Sequence, residues 1–183
     1  ATETRKLVEK VADAGFHVRI AATRKTAPGL RYFDKRAVLI GGGDPHRFRL
    51  DDAFLVKDNH IKIANGVREA LEKVRSAASF SKKVEIEAKT ASQALEAARL
   101  GADIVMLDNM TLKEAEKTMS ELAARNLREK VLIEISGGVT TKNLISYARL
   151  EPDIISLGSL THSAQAIDMS LEVVEVKTPK KIL

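Results

Sequence analysis

Two spacings of apolar residues take turns along the chain. Short runs rich in β-branched residues fall at 17–22, 53–57, 84–88, 104–107, 131–135 and 154–157. Each has the length of one strand and is bounded by polar residues or glycine. Between them lie stretches with helical spacing, at 3–14, 30–40, 63–78, 91–100, 112–126, 142–149 and 163–174. Residues 91–103 are typical: an amphipathic helix, Gly101 as its stop, then the next strand. Strands alternating with helices predict a mostly parallel sheet covered by helices.

Within the strands the alternation is informative. Glu85 and Glu87 share one face of the run 84–88, and Glu134 and Ser136 share one face of the next-to-last strand. Lys57 closes the second run and Arg19 lies in the first. A strand covered by helices on both faces reads as nearly all apolar. One apolar and one charged face suits a barrel, apolar outward and ionic inward. Buried charges are costly unless paired, so Arg19, Lys57, Glu85, Glu87 and Glu134 are expected to pair with one another or with a ligand. Six predicted strands fall short of a full (β/α)8 barrel, which takes roughly 250 residues. The expected fold is therefore an open, incomplete barrel of the TIM type, α/β, with six or seven mostly parallel strands and outer helices.

Composition narrows the class. The 183 residues, 44% of them hydrophobic, suit one globular domain over 1–183, with 175–183 expected to be a flexible tail. No apolar run approaches the roughly 20 residues needed to cross a bilayer. The absence of cysteine excludes disulfides, thiol nucleophiles and thiolate metal sites. There is no apolar signal core, so a cytoplasmic setting is expected. The net charge of +5 is spread along the chain among acidic residues, and aromatics are 4%. That argues against nucleic acid and for small anions as partners.

Polar residues recur at the same end of every predicted strand. Thr23, Arg24, Lys25 and Thr26 follow the first, Lys57, Asp58, Asn59 and His60 the second, and Glu87 the third. Asp108 and Asn109 follow the fourth, Ser136, Gly137 and Gly138 the fifth, and Gly158 and Ser159 the sixth. In βα barrels that rim is where active sites are built. The turn from Ser136 to Thr140 could cradle a phosphate with backbone N–H groups, or could simply be a tight turn capped by Thr140. A second glycine turn at 158–162 favours the phosphate cup. Gly41, Gly42 and Gly43 lack a nucleotide-binding spacing and are expected to form a flexible loop carrying His46 and Arg47 over the rim. Asp108 and Asn109 could meet Mg²⁺ or hydroxyls, or cap the helix that follows. No His and carboxylate spacing marks a tight protein metal site. The rim so read suits a phosphorylated sugar without fixing the reaction.

The motifs Ala21 to Arg31, Gly41 to Arg47, Lys57 to His60, Gly101 to Met110, Ser136 to Thr140 and Ser156 to His162 resemble, in that order, the quinolinate phosphoribosyltransferase family (nicotinate-nucleotide pyrophosphorylase, carboxylating). The resemblance covers roughly residues 2–173 and matches the family's C-terminal open-barrel domain. It implies transfer of phosphoribose from phosphoribosyl pyrophosphate to quinolinate with decarboxylation. The products are nicotinate mononucleotide, pyrophosphate and CO2, a step of NAD biosynthesis, with Mg²⁺ travelling on the pyrophosphate.

By the same resemblance Arg24, Lys25, His46 and Arg47 would hold quinolinate. Lys25, Lys57, Glu87, Asp108, Ser136, Gly137, Gly158 and His162 would hold phosphoribosyl pyrophosphate. Lys57, Glu87 and Asp108 would be catalytic, with Glu87 and Asp108 also nearest the metal. The family's N-terminal domain is not in this sequence. That domain lends an arginine to the neighbouring subunit, so a homodimer or larger homo-oligomer is expected and this chain alone is expected to be poorly active. Arg49 departs from the small residue usual after the His-Arg pair. Two other readings compete: a barrel lyase or isomerase using Lys57 as a Schiff-base amine, and a relative that binds an anion without catalysis.

Overall fold

Every strand expected from period-two spacing is present. The computed structural model describes residues 1–176. Among these the chain runs α1 (Thr2–Asp13), β1 (Arg19–Ala21), α2 (Arg31–Ile40), β2 (Phe54–Val56), α3 (Asp58–Ala64), α4 (Val67–Ala77), β3 (Val84–Ala88) and α5 (Ala91–Arg99). It continues with β4 (Ile104–Asp108), α6 (Leu112–Ala124), a 3-10 turn (Arg128–Lys130), β5 (Leu132–Ser136), α7 (Leu144–Ala148), β6 (Ile154–Ser156) and α8 (Ser159–His162). None of the helices described is long and apolar enough to cross a membrane.

The strands form one sheet in the order β1-β6-β5-β4-β3-β2, parallel at every pairing. The edges β1 and β2 do not pair, so the sheet curls without closing. Asp44 lies beside β1 as a single-residue parallel bridge, where a seventh strand would begin. Its N–H donates to the Ile20 carbonyl (2.8 Å), and its carbonyl accepts from Ala22 N–H (2.9 Å).

Register sorts the two faces. Glu85 sits between Leu55 and Ile104, Glu87 beside Met106, and Met106 beside Glu134. Asp108 sits beside Ser136, which sits beside Ser156. Neighbours in register share a face, so these residues point to one side. The intervening Ile86, Val105, Leu107, Ile133, Ile135 and Ile155 point to the other side and are fully buried under the helices. Burying one such side chain stabilises the fold by roughly 1.5–3 kcal/mol. The ionic-inward expectation therefore holds for Glu85, Glu87 and Glu134. Arg19 is the exception: it is exposed at the start of β1 and makes no ion pair among the described residues.

Two aspartates fix the far end of the sheet. Asp103 accepts the Val84 N–H and Asp153 the Ile133 N–H, each at 2.7 Å, joining neighbouring strands near their starts. The helix expected over 63–78 is two helices, because Asn65 takes a left-handed conformation (φ 67°) after α3 and Gly66 follows it. The helix expected over 163–174 does not form, and these residues are exposed without regular structure. Ile167, Leu171 and Val174 keep the i, i+4, i+7 spacing of a helix, but all three are exposed, and a short helix whose apolar stripe is not buried is marginal in water. Of the tail expected at 175–183, residues 175 and 176 are likewise exposed and irregular. The rest of that expected tail lies outside the described residues.

Candidate active site

The loop after β1 carries Thr23, Arg24 and Lys25 and is anchored from two sides. Thr161 Oγ1 of α8 donates to the Lys25 carbonyl at 2.6 Å, and Arg31 Nε of α2 donates to Thr26 Oγ1 at 3.2 Å. The glycine loop at 41–43 is not the flexible tether expected. A Cβ on Gly41 or Gly43 would lie 2.6 Å from Thr4 side-chain atoms, so these glycines let α1 press against the loop. Downstream, buried Lys35 of α2 donates its ammonium to the Pro45 carbonyl. Burial and the neighbouring Arg31 and Arg24 charges lower Lys35 to about 8.

These loops surround a cavity of about 330 Å³ at the C-terminal ends of the strands. Eight expected site residues line it: Arg24, Lys25, His46, Arg47, Lys57, Glu87, Asp108 and Ser136. Cations stand on the β1 and β2 side, and the carboxylates of Glu87 and Asp108 on the β3 and β4 side. Gly137, Gly158 and His162 do not line the cavity, though Gly137 and Gly158 lie one and two residues beyond the lining Ser136 and Ser156. Gly137 follows Ser136, and the His162 ring lies 2.6 Å from where a Gly158 Cβ would be. Ser136 and Ser156 are joined by a hydrogen bond of 2.8 Å between their hydroxyls.

Unsatisfied polarity marks where a ligand belongs. Among the described residues, Nε of Arg24 and Nε of Arg47 are buried with no hydrogen-bond partner. Buried donors are normally paired, so both guanidinium groups await an acceptor. Desolvation, then the like charges of Arg31 and Arg47, lowers Arg24 from its ordinary value. An arriving dianion would relieve that mutual repulsion.

Lys57 Nζ lies 3.6 Å from Glu87 Oε1, and the Lys57 backbone N–H donates to His60 Nδ1 at 3.0 Å, closing the first turn of α3. Burial raises Glu87 above the usual carboxylate range; Lys57 opposes this and the Asp108 charge adds to it. Asp108 is not a helix cap, since Thr111 caps α6 by a reciprocal pair with Glu114. It accepts instead from Asn109 Nδ2 at 2.8 Å, which orients its carboxylate at the mouth. Thr140 is not the cap of α7, which begins at Leu144 after Asn143. Gly137 and Gly138 both have positive φ, so backbone between Ser136 and Thr140 turns in a way that side-chain-bearing residues rarely allow. Arg49 points away from the cavity, binding Asp51 through Nε (2.8 Å) and Nη2, and its backbone N–H donates to Asp52.

On the cavity wall His46 meets two buried carboxylates that strand alternation points inward, Glu134, which lines the cavity with it, and Glu85. His46 Nε2 is 3.2 Å from Glu134 Oε2 and 3.8 Å from Glu85 Oε2. Burial would lower His46, but the hydrogen bond and charge of Glu134 and the charge of Glu85 outweigh it and leave it raised. Burial and the Glu134 charge push Glu85 up to about 7 against the opposing His46 and Arg47. Ser156, Leu50 and Leu55 also line the cavity. Only the alternation in β2 and β6 could have signalled Leu55 and Ser156.

The chain matches a family model described as "Quinolinate phosphoribosyl transferase, C-terminal domain" over residues 1–172. It is 48% identical over 173 residues to a probable nicotinate-nucleotide pyrophosphorylase (carboxylating) of Methanothermobacter thermautotrophicus, covering 94% of this chain and 62% of that protein. It is 42% identical over 166 residues to the human nicotinate-nucleotide pyrophosphorylase (carboxylating), covering 91% of this chain and 55% of that one. Its fold superposes on the crystal structure of NadC from Streptococcus pyogenes with a TM-score of 0.81 at 41% identity, covering 93% of this chain and 57% of the other. The chain thus spans a little over half the length of these proteins.

Proposed function

The chain belongs to the quinolinate phosphoribosyltransferase family as its C-terminal domain, and from that premise we propose that its cavity transfers phosphoribose from phosphoribosyl pyrophosphate to quinolinate. The N1–C1′ bond forms as the C1′–pyrophosphate bond breaks. The bond from C2 to its carboxyl group then breaks, releasing CO2, and C2 takes up a proton. The carrying observation is that eight candidate residues, six from five strand ends and His46 and Arg47 from the 44–47 segment, line one cavity that holds both cations and carboxylates.

Arg24 and Arg47 hold the two ring carboxylates, with Lys25 between the substrates and His46 beneath them. The unpartnered Nε groups of both arginines supply donors of the kind that carboxylates take. Positive charge near C2 stabilises the electron pair left by decarboxylation. Glu87 and Asp108 face the ribose, where their hydrogen-bond acceptors meet hydroxyls and their negative charge stabilises cationic character at C1′. Lys57 neutralises charge on the departing pyrophosphate. Ser136, Gly137, Gly158 and His162 receive the 5′-phosphate. Glu87 and Asp108, whose oxygen donors suit a hard cation, would hold a Mg²⁺ carried on the pyrophosphate, and that ion would supply charge neutralisation there.

Lys57 is half exposed and paired with Glu87. It lacks the burial that a Schiff-base amine needs, which counts against the lyase reading. A non-catalytic anion binder would have no use for Glu87 and Asp108 facing the cations. The complete protein is expected to be a homodimer or larger homo-oligomer acting in the cytoplasm, with its remaining part covering the mouth. Incubating it with phosphoribosyl pyrophosphate and either quinolinate or nicotinate tests the reaction. Nicotinate mononucleotide and CO2 are expected from quinolinate alone, and product from nicotinate alone would sink it.

A further inference from the structure

The chemistry above leaves Glu134 unused, though among the described residues it is the most completely buried charge (0% exposed). Its Oε2 meets His46 Nε2, and among the described residues its Oε1 has no partner. Removing a carboxylate from water this thoroughly is costly unless something compensates. His46 is where the compensation leads.

His46 is held at its backbone N–H and at both ring nitrogens. Its backbone takes a left-handed conformation (φ 54°), and its N–H donates to Asp44 Oδ1 at 2.7 Å. The ring Nδ1 accepts the backbone N–H of Arg47 at 2.7 Å. With Nδ1 an acceptor, the ring proton resides on Nε2 and is donated to Glu134. Both ring nitrogens are therefore engaged inside the protein, and the next residue in the chain is the one whose guanidinium lines the cavity. Arg47 Nη1 donates to the Ala53 carbonyl at 3.3 Å, while its buried Nε has no partner among the described residues.

We propose that Glu134 is a positioning residue: through His46 it pins the Arg47 backbone to β5 and so sets the guanidinium in the pose that takes one carboxylate of an aromatic dicarboxylate. The inference rests on the function proposed above and assigns His46 a supporting role in place of direct ligation. The imidazole also occupies Oε2 of Glu134 at the cavity wall, where an unpaired carboxylate would repel a dianion. Glu85, 3.8 Å from the same nitrogen, flanks the pair without making its hydrogen bond.

The test uses the complete protein with Glu134→Leu and Glu134→Gln, each checked for a wild-type melting profile and circular dichroism spectrum. Leucine removes the acceptor and should raise KM for pyridine-2,3-dicarboxylate by about tenfold or more, the worth of one charge-assisted hydrogen bond. KM for phosphoribosyl pyrophosphate should stay within about twofold. Glutamine keeps an oxygen acceptor and should recover most of the loss, and calorimetric titration with the dicarboxylate should give the same ranking. Equal dicarboxylate affinity in wild type and Glu134→Leu would overturn the positioning role while leaving the proposed function standing. Failure of the wild type to bind or convert the dicarboxylate would overturn the function instead. Stoichiometric Zn²⁺ or Mn²⁺ in the wild type, lost in Glu134→Gln, would also overturn it, since His46, Glu85 and Glu134 would then be ligands.

Discussion

The ammonium of Lys57, at the end of β2, stands 3.6 Å from the carboxylate of Glu87, at the end of β3. This pair joins the cationic and acidic halves of the cavity and lies where pyrophosphate and ribose would meet. Lys57→Ala is expected to fold normally, because the side chain is half exposed, yet to lower kcat/KM for nicotinate mononucleotide formation by about a hundredfold or more. Steady-state assays of the complete protein beside a thermal melt check both halves of the statement.

Glu85 makes stability depend on pH. Its carboxyl rises from an ordinary 4.5 to about 7 in the fold. Between those values the folded protein keeps a proton that the unfolded chain gives up, so stability falls as pH rises through that window and stays lower above it. The raised His46 acts in the same direction. Glu85→Gln removes the carboxyl titration and should gain about 2–3 kcal/mol over wild type above about pH 8, with little gain near pH 4.5. Denaturant melts across that range would show it.

Gly137 has φ +83°, and a Cβ there would strike the Asn109 side chain. Gly137→Ala should cost about 1–3 kcal/mol and weaken binding of phosphoribosyl pyrophosphate. Pairing it with Asn109→Gly should return the steric part of the loss and leave the backbone part. Melting and titration of the single and double variants separate the two.

Thr111 serves as a control away from the mouth. It caps α6 by accepting the Glu114 N–H, while Glu114 Oε2 accepts the Thr111 N–H. Thr111→Ala should cost about 1 kcal/mol of stability and leave turnover unchanged.

The sequence disclosed the strands because each lies between a polar start and a functional end, and because Glu85, Glu87 and Glu134 alternate with buried aliphatics. It disclosed most of the cavity for the same reason, since Arg24, Lys57, Glu87, Asp108 and Ser136 all sit at one end of their strands. What it hid were contacts made across the sheet. Glu134 and His46 are 88 residues apart and meet only because the 44–47 segment folds over β5. Lys35 reads as an ordinary helix-surface lysine until Pro45 covers it. Residues 163–174 carry the aliphatic spacing of a helix, but among the described residues nothing covers Ile167, Leu171 and Val174, and that missing surface is invisible in the sequence.

Leaving β1 and β2 apart has an energetic side. The segment that crosses between them makes a single ladder position, Asp44 beside β1, and so forgoes most of the backbone hydrogen bonds that a seventh strand would supply. In exchange its backbone is free to turn at His46 and to carry Arg47 onto the cavity wall, where Nη1 reaches the Ala53 carbonyl just ahead of β2. The open seam thus gives up ladder bonding to set a second guanidinium group beside Arg24.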